Sequence, residues 1–440
     1  MEMKIPARAF MAACAAAIAY VLTLRCSAGT LAELRGVWQA QFNNDGSRVV
    51  VQLRGGAVSL WETESGKVVC GDIGQGRETD SFCLRPDRKS ALINFRPDGA
   101  RVVSLANGDP QSPLLDVKQV GRFEPSALFS PDNVTLVVVD NGHRAHVFDV
   151  RTGKHRTDPI TIAGAHPDET EVQSPAKFSP DGTTCFLMDS DGTVFRYDTR
   201  TWKSVGHPLR QTDEQGYSFT FEISPDGKWL VTFSNPGEHG AKGALQFWNL
   251  KSGKAVGAPI LGNEGISGEF LGRSDRFLRH TGRGTSSVHE FPSWDLRYSI
   301  KDHDDLDGPG IAISPDETKI ISWGPDHQIT LQDGRTGAHL GSLSCGASTS
   351  SVLFAPNSKT CYIVPGYSPN AYEKGDPSHI IRVSLRTMKV TCSLPVAGYV
   401  SRAALSQNGR RMIVVEGSTD HERVRIVDTA TMKPLNAYAE

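Results

Sequence analysis

FSPDGTTCFLMDSDGTVFRYDTRTWK, residues 178–203, is the stretch from which the organisation of the chain is best understood. It contains a Ser-Pro-Asp-Gly turn at 179–182, an apolar run, a second turn at 189–192 and a run that ends at Tyr197-Asp198. Another turn then leads to Lys203. Short apolar runs bounded by Pro, Asp and Gly turns predict antiparallel strands. The stretch therefore predicts a small antiparallel sheet.

The same unit occurs nine times after residue 30. An apolar residue precedes the first turn of each copy, at Phe42, Leu84, Phe129, Phe178, Ile223, Phe270, Ile313, Phe354 and Leu405. A second landmark ends the third strand, at Trp61-Glu62, Phe148-Asp149, Tyr197-Asp198, Trp248-Asn249, Trp294-Asp295, Gln332-Asp333 and Val427-Asp428. Where no insert intervenes, the turn residue and this landmark are 17 positions apart, as from Asp181 to Asp198. A period near 45 residues predicts the blades of a propeller.

The landmarks resemble those of WD40-repeat proteins and of related exported bacterial propellers with Ser-Pro-Asp-Gly turns, over essentially all of residues 31–440. The resemblance is carried by the first turn, the Trp-Asp-like strand end, and a Thr-Gly-Lys turn such as Thr152-Gly153-Lys154. It implies an all-β fold, a single β-propeller of four-stranded blades. Trp294-Asp295 is the one true Trp-Asp pair, and the Gly-His that opens many family repeats is missing. Whether this chain has the family's Asp-His hydrogen-bond relay is therefore left open.

The sixth unit, residues 270–296, lacks the Pro-Asp turn and is the most degenerate copy. We therefore predict a ring of eight or nine blades, with seven as the alternative. No linker-like stretch separates the units, which favours one ring over separate domains.

Residues 1–28 have the order of a secretory signal peptide. Lys4 and Arg8 precede an apolar run at 9–24, and the small residues Cys26 and Ala28 predict cleavage after Ala28. The sequence thus predicts export to the periplasm or the extracellular space. A retained N-terminal membrane anchor is the alternative.

Six cysteines follow this leader. Cys185 and Cys361 each lie four residues after the turn Asp or Asn, and we predict that both are buried apolar side chains. The pairing of Cys70, Cys83, Cys345 and Cys392 is left open. No Cys/His cluster has zinc spacing.

No cofactor or metal is expected. Four aspartates between residues 302 and 307 are weak candidates for a metal site, namely Asp302, Asp304, Asp305 and Asp307. Their spacing is not the alternating one of calcium loops.

Recognition is expected on one face of the ring. Family geometry implies that the B–C and D–A connections lie together on an irregular face, opposite a turn face with the regular A–B and C–D turns. Long B–C inserts occur at 235–243, 365–379 and 417–423, and loops on a rigid scaffold often carry recognition. The predicted partner-binding residues are Tyr367, Tyr372, Glu373, Lys374, Glu238, His239, Asp420 and His421. A solvated loop without a partner is the alternative.

Charge also separates between the two faces. The D–A connections are acidic, with Asp168, Glu169, Glu171, Asp213 and Glu214, whereas the turn face is rich in Lys and Arg. We hypothesise that the acidic connections steer a basic protein partner. A family preference for Lys in these turns is the alternative explanation. The formal net charge of -2 and the absence of basic stretches with interleaved aromatics argue against nucleic-acid binding.

These observations predict a non-catalytic, exported scaffold for protein–protein interaction, with no membrane contact after signal cleavage. Gly-x-Ser-x-Gly, His-Glu-x-x-His and P-loop motifs are absent. His143, His146 and His303 have no sequence partner and are expected to be surface or satisfied core residues. The alternative is a propeller enzyme, lactonase-like or hydrolytic, with an acidic or His-lined funnel at the ring axis.

Overall fold

The computed structural model describes residues 31, 34, 36–96, 98–118, 127–140, 144–162, 176–189, 191–211, 217–235, 242–262, 266–281, 285–300, 310–324, 326–345, 348–366, 378–396, 398–417 and 422–435. The first group of strands is β1 (Val37–Phe42), β2 (Arg48–Leu53), β3 (Val58–Glu62), β4 (Val68–Cys70), β5 (Glu78–Leu84), β6 (Ser90–Arg96), β7 (Asp98–Ser104), β8 (Leu115–Lys118), β9 (Ala127–Phe129), β10 (Thr135–Val139), β11 (Arg144–Asp149) and β12 (Ile160–Thr161). The second is β13 (Ala176–Phe178), β14 (Thr184–Met188), β15 (Val194–Asp198), β16 (Tyr217–Ile223), β17 (Trp229–Asn235), β18 (Gly243–Asn249), β19 (Lys254–Gly262), β20 (Ile266–Leu271), β21 (Arg276–Thr281), β22 (Ser286–Glu290) and β23 (Leu296–Ile300). The third is β24 (Gly310–Ile313), β25 (Lys319–Trp323), β26 (Gln328–Asp333), β27 (His339–Ser344), β28 (Thr349–Phe354), β29 (Thr360–Pro365), β30 (Ser378–Ser384), β31 (Lys389–Val396), β32 (Tyr399–Leu405), β33 (Arg411–Gly417), β34 (Arg423–Asp428) and β35 (Lys433–Pro434).

These strands form nine antiparallel sheets, one for each sequence unit. Eight sheets have four strands in chain order. The sheet of β13–β15 has three, and the bridges Val194↔Leu209 and Tyr197↔Ser204 place its fourth segment. The chain is therefore a nine-bladed β-propeller, and the seven-bladed alternative is wrong. The degenerate sixth unit forms a complete blade from β20 to β23.

We call the strands of each blade A to D in chain order. The B and C strands are almost wholly buried, as in β10 and β11, whereas D strands such as β27 are largely exposed. A strands of neighbouring blades contact each other, since Lys177 on β13 pairs with Glu222 on β16. The A strands thus line the ring axis and the D strands form its rim. The core consists of apolar layers between adjacent blades.

The A–B turns share one backbone conformation whatever their sequence. The residue after the turn Asp or its equivalent has a positive φ in every blade, namely Gly46, Arg88, Asn133, Gly182, Gly227, Ser274, Glu317, Ser358 and Gly409. In the complete motifs the Ser hydroxyl donates to the Asp carboxylate, as from Ser179 to Asp181 at 2.6 Å. The sixth unit keeps the backbone through Ser274 without the Pro-Asp pair. Packing between blades therefore stabilises a left-handed residue that local sequence would disfavour.

In the sixth blade, the strand end predicted from the sequence lies in the C–D turn. Strand C of the sixth blade ends at Glu290, which pairs with Arg276 as Glu62 pairs with Arg48. Trp294 lies four residues later, with φ 65° and a 2.9 Å backbone bond to the Glu290 carbonyl. This is the position that Gly153 occupies in the Thr-Gly-Lys turn. The prediction that Trp294-Asp295 ends strand C was wrong, because the pair lies in the turn.

A buried hydrogen-bond chain in the fifth blade shows what stands in place of an Asp-His relay there. Trp248 Nε1 donates to Thr232 Oγ1 at 3.1 Å, and this hydroxyl donates to Gln211 Oε1 at 2.6 Å. Gln211 Nε2 then donates to Ser234 Oγ at 3.2 Å. A glutamine before strand A thus satisfies the polar groups of strands B and C. An amide thus links these strands to the segment before strand A in this blade.

The ring closes by packing between the first and last blades. Trp61 of β3 shares an apolar cluster with Ile413, Val415, Val424 and Ile426 of the ninth blade. Asn408 Nδ2 also donates to the Asp45 carbonyl at 2.7 Å across this boundary. No strand is exchanged, since β1–β4 and β32–β35 each form their own sheet. Side-chain burial therefore holds the ring shut.

All six described cysteines are free thiols. Cys185 and Cys361 are buried at 0% and 1% exposure, which confirms the sequence prediction. Burial raises the pKa of Cys361 to about 12 and raises the pKa of Cys185 further. Both behave as small apolar side chains. In the described part of the chain, no helix has the length and apolar character that a membrane crossing needs.

The repeated turn aspartates predict a loss of stability in acid. The backbone amide and hydroxyl of Thr152 lower the pKa of Asp149 to about 2. Burial opposes the same shift at Asp316, but hydrogen bonds led by that from Ser314 still lower its pKa to about 2. Because the folded-state pKa lies below the unfolded value near 3.9, this stabilisation is present above about pH 4 and is lost as pH falls toward 2.

Urea unfolding at a series of pH values checks this expectation. We expect a steady midpoint near neutral pH and a steep fall below about pH 4. Burial raises the pKa of Asp189 and of Glu269, so the contribution of these two groups to the stability of the fold decreases as pH rises. Asp149→Asn should unfold at a lower urea concentration than the unmodified chain at neutral pH. The two unfolding midpoints should converge near pH 2. A midpoint that stays constant down to pH 2 would contradict the argument.

Candidate functional site

The described residues place the three inserts where the sequence predicted them. The inserts join strand B to strand C, between β17 and β18, β29 and β30, and β33 and β34. The predicted partner-binding residues all lie outside the described residues; these are Tyr367, Tyr372, Glu373, Lys374, Glu238, His239, Asp420 and His421. The same holds for the acidic residues Asp168, Glu169, Glu171, Asp213 and Glu214, and for the metal candidates Asp302, Asp304, Asp305 and Asp307. These assignments stay predictions.

A repeated irregularity lies near the start of the A strands, at the end of the blades that faces the inserts. The A–B pairing shifts register there in five blades: it skips one residue in four of them, at Trp38, Asp80, Ser350 and Ser401, and in the fifth blade the shift lies between Tyr217 and Thr220. A β-bulge of this kind leaves the extra residue unpaired and redirects its side chain. Ser350, Ser401 and Trp38 are exposed, whereas Asp80 is half-buried. The bulges thus form part of the rim of the axis on the irregular face.

Trp38 is the notable side chain on this rim. Its exposed fraction is 50%, although its neighbours Val37 and Gln39 are 2% and 7% exposed. Among the residues whose side-chain burial is described, no other Trp or Phe is exposed to this extent. The remaining exposed apolar side chains are single Leu and Val residues, which are ordinary on a soluble surface. A half-exposed indole leaves a large apolar area for a partner to bury.

Two guanidinium groups accompany the indole. The Arg402 and Arg54 Cζ atoms lie 5.6 and 5.8 Å from the centroid of the Trp38 ring. Both distances are within the range of cation–π attraction. We call these three residues the Trp38 patch. Arg402 belongs to β32 and Arg54 to the B–C turn after β2, so the first and ninth blades build the patch together.

Arg54 is held in place by a buried carboxylate. Its Nε and Nη2 atoms donate to Glu422 Oε2 at 3.3 and 3.1 Å. The Glu422 side chain is 2% exposed, whereas that of Arg54 is 48% exposed. Glu422 lies at the end of the 417–423 insert, directly before β34. One predicted recognition loop therefore contacts the patch through this ion pair.

Gly56 fixes the turn that carries Arg54. Its φ is 84°, and a Cβ atom at this position would lie 2.3 Å from the Thr79 carbonyl oxygen. The turn after β2 thus rests against the second blade with no room for a side chain. This close approach restricts the position of Arg54 relative to Trp38.

A cleft on the turn face is also rich in arginine. It lies between the sixth and seventh blades, has a volume of about 410 Å³, and is lined in part by Arg273, Arg276, Arg297 and Arg335. The buried Arg276 donates to the Gly334 carbonyl at 2.5 Å and to Glu317 at 3.3 Å. Arg297 pairs with Glu290. These bonds tie the C–D turn of the seventh blade to the degenerate sixth blade, so we assign this cleft a structural role.

His146 is a buried core residue that is hydrogen-bonded at one of its two ring nitrogens, and its buried Nδ1 has no partner among the described residues. Its Nε2 lies 2.8 Å from Asp140 Oδ2, and Arg144 also bonds this carboxylate. Burial alone would raise the pKa of Asp140, but these hydrogen bonds lower it overall. His143 and His303 lie outside the described residues. Within the part of the chain that is described, no three His, Cys, Asp or Glu side chains are grouped so as to hold a metal.

Comparison with known proteins supports the fold. No family model and no curated protein matches the chain. The chain is similar to the solved Dos1 propeller, with a TM-score of 0.52 and 11% identity over 76% of this chain and 94% of that one. The fold is that of a β-propeller. The chain is also similar to the computationally designed Ika8 protein, with a TM-score of 0.49 and 13% identity over 76% of this chain and 95% of that one. At such identities the first likeness shows the propeller fold alone, and membership of the WD40 family stays a prediction.

Sequence reasoning missed the Trp38 patch. Trp38 is not part of any turn landmark, and Arg54 and Arg402 are 348 positions apart in the chain. The available signal was a large aromatic residue at a position where other A strands carry Asp or Ser, as at Asp80 and Ser401. Its exposure follows from the bulge, which a period-2 pattern does not reveal.

Proposed function

We propose that this propeller is an exported, non-catalytic scaffold that binds a protein partner on its irregular face, with the Trp38 patch as a central contact. The exposed indole with its two guanidinium groups is the observation that carries the proposal. Trp and Arg are the residue types most enriched among energetically dominant interface contacts. The patch also lies beside the 417–423 insert, which extends the surface into a predicted recognition loop.

The charge of the patch indicates the chemistry of the bound segment. Arg54 is paired with the buried Glu422, so the exposed Arg402 supplies the positive charge with which this arc of the face attracts a segment with Asp or Glu side chains. The acidic connections predicted around 168–171 and 213–214 belong to other blades and would steer basic parts of the same partner. We therefore propose a protein partner of mixed charge whose acidic segment contacts Trp38.

Replacing Trp38 by alanine is expected to weaken binding of this partner by about tenfold to a hundredfold, the usual effect of removing a central aromatic contact. Affinity capture with the intact chain identifies the partner, and titration calorimetry with the purified partner measures the change. Leu340→Ala is the matched control, because Leu340 is also 50% exposed but lies on β27, a D strand at the outer edge of the ring. Its affinity should equal that of the unmodified chain.

A second variant locates the rest of the surface. In it, residues 365–379 are replaced by a short Asn-Gly turn, which removes the predicted Tyr367 and Tyr372 contacts. If this variant loses the partner and Trp38→Ala does not, the insert carries recognition and the patch does not. If neither change affects a specific partner, binding on the irregular face is wrong.

The hydrolase alternative has no specific observation in its favour. In the described A strands, the rim residues at the irregular end include Trp38, Asp80, Ser350 and Ser401. The D–A connections that would complete a funnel lie mostly outside the described residues. This alternative stays a sequence prediction.

A further inference from the structure

The turn face of the eighth and ninth blades lacks carboxylates that most other blades have there. Six blades carry Asp as the turn residue between strands A and B, whereas these two carry Asn357 and Asn408. The amide keeps the turn, since Asn408 Oδ1 accepts hydrogen bonds from the Ser406 hydroxyl at 2.8 Å and from the Arg410 backbone amide at 3.0 Å. Strand C of the eighth blade ends in Ser384, where six blades end in Asp or Glu. The turns are thus preserved while their negative charges are removed.

Cationic side chains remain on this surface without a carboxylate to neutralise them. They are exposed, and none forms an ion pair with another described residue; these are Lys359, Arg386, Lys389, Arg410 and Lys433. The one carboxylate in the described turns of the two blades, Asp428, pairs with Arg411 at 2.6 Å and accepts a hydrogen bond from the Thr431 amide. We call the five exposed residues the basic patch.

A guanidinium group joins the two halves of the patch. Arg382, on strand C of the eighth blade, donates from Nη1 to the Thr429 and Ala430 carbonyls at 3.0 and 2.6 Å. These bonds hold the C–D turn of the ninth blade against the eighth blade. Arg382 Nε also donates to Thr391 Oγ1 at 2.9 Å. No described carboxylate pairs with Arg382, so its charge adds to that of the patch.

Carboxylates border the patch on both sides. The turns of the seventh and first blades contain six of them, namely Asp316, Glu317, Asp333, Asp45, Glu62 and Glu64. The excess of positive charge therefore ends at the two flanks of the patch. A family preference for Lys in the turns does not explain it, because the excess arises from missing acidic residues.

The chain enters the ring on the same face, beside the ninth blade. The Leu31 backbone amide donates to the Gly66 carbonyl at 2.7 Å, in the C–D turn of the first blade. The Leu31 side chain is 0% exposed and packs in the cluster that the first and ninth blades share. The apolar run at 9–24 ends seven positions before Leu31. Because seven residues span at most about 25 Å, a membrane that holds this run lies close to the turn face at this boundary.

We propose that the basic patch binds the anionic headgroups of a membrane surface, which departs from the sequence expectation of no membrane contact. Clusters of this number of Lys and Arg side chains are attracted to anionic bilayers. The turns at 356–359, 385–388, 407–410 and 429–432 contain no aromatic residue, the usual anchor of a protein interface. In this orientation the irregular face points away from the bilayer. The patch does not include the Trp38 patch, so its occupation is independent of the partner proposed there.

Sedimentation of the intact chain with unilamellar vesicles tests the proposal. Phosphatidylcholine vesicles with about one third phosphatidylglycerol should bind the chain more tightly than pure phosphatidylcholine vesicles, and added NaCl should reduce the difference. Arg386→Gln/Lys389→Gln and Arg410→Gln/Lys433→Gln should each weaken binding to the anionic vesicles by about twentyfold, since one cation near the surface contributes about fivefold. Neither variant should change the thermal midpoint, because the four side chains are exposed and form no ion pair with another described residue.

Lys251→Gln/Lys254→Gln is the matched control. These exposed lysines occupy the turn positions of Arg386 and Lys389 in the fifth blade, on the opposite side of the ring. The change should alter binding by less than about twofold, because charges outside the contact are screened by salt. All variants keep residues 1–28, so the contribution of the leader cancels in the comparison.

Three results would overturn the proposal. The first is equal binding to neutral and anionic vesicles, and the second is unchanged binding of both patch variants. The third is an equal loss in the Lys251/Lys254 variant, which would assign the attraction to the whole turn face. If poly-L-glutamate binds with the same dependence on the four patch residues and anionic vesicles do not bind, the patch is a site for an acidic protein segment and the membrane proposal is wrong.

Discussion

Replacing Trp61 by alanine is expected to lower the free energy of unfolding by about 3–5 kcal/mol, because the change removes a fully buried indole and leaves a cavity. Trp61 is 0% exposed and lies in the cluster that joins the first blade to the ninth. Its Nε1 also donates to Ser59 Oγ at 2.7 Å, so the variant leaves a buried hydroxyl with one bond fewer. Urea unfolding followed by tryptophan fluorescence and circular dichroism measures the loss.

The effect should be large because this boundary has no backbone connection. Each internal boundary is bridged by the chain itself, whereas the first and last blades contact each other through side chains and a few hydrogen bonds such as Asn408 to Asp45. Weakening that contact favours an open arc with two exposed apolar blade faces. We therefore expect Trp61→Ala also to increase binding of a hydrophobic dye before global unfolding.

Trp38→Ala is the control for this experiment. The residue lies in the same blade and has the same side chain, but it is 50% exposed. Its replacement should change stability by less than about 1 kcal/mol, since a surface substitution removes little buried area. If the two variants are equally stable, the ring does not depend on the cluster around Trp61.

Replacing Arg425 by methionine is expected to destabilise the fold by about 3–5 kcal/mol, since it leaves the buried Glu416 carboxylate without the guanidinium that neutralises it. Arg425 Nη1 lies 3.0 and 3.1 Å from the two Glu416 oxygens, and the Glu416 side chain is 1% exposed. The same nitrogen donates to the Pro395 carbonyl at 2.9 Å, which links the ninth blade to the eighth. Urea unfolding at neutral pH measures the effect.

Two controls separate the charge from the packing. The double variant Glu416→Gln/Arg425→Met removes both charges and should recover most of the lost stability. Arg48→Met breaks the more exposed Arg48–Glu62 pair, with a nitrogen–oxygen distance of 2.9 Å, and should change stability by only about 0–1 kcal/mol. A double variant as unstable as Arg425→Met would show that the guanidinium acts through packing and not through charge.

Much of the architecture could be predicted from turn chemistry. Repeated turns at constant spacing predicted the nine units, and every unit forms one blade. The sixth unit shows the limit of the method. There the Trp294-Asp295 pair imitates a strand end but lies in the C–D turn, because a tryptophan with positive φ occupies a position where five other blades have glycine. Local sequence cannot reveal such a substitution when packing, not propensity, stabilises the backbone.

The site was less predictable. The sequence placed the inserts between strands B and C correctly, and the residues that it nominated within them await a test. The Trp38 patch depends on a bulge and on contacts across the ring boundary. It has no signature in residue spacing, since it arises where separate blades meet.

The sequence by itself determined the repeat unit, the order of strands within it and the position of the inserts, because these depend on turns that act over four or five residues, and it left the number of blades between eight and nine with seven as the alternative. Tertiary structure decided which residues meet across the closed ring. Trp38, Arg54 and Arg402 share a surface only after nine blades pack around one axis. Blade packing is non-directional burial of apolar area, and it brings polar groups together at positions that no local pattern specifies.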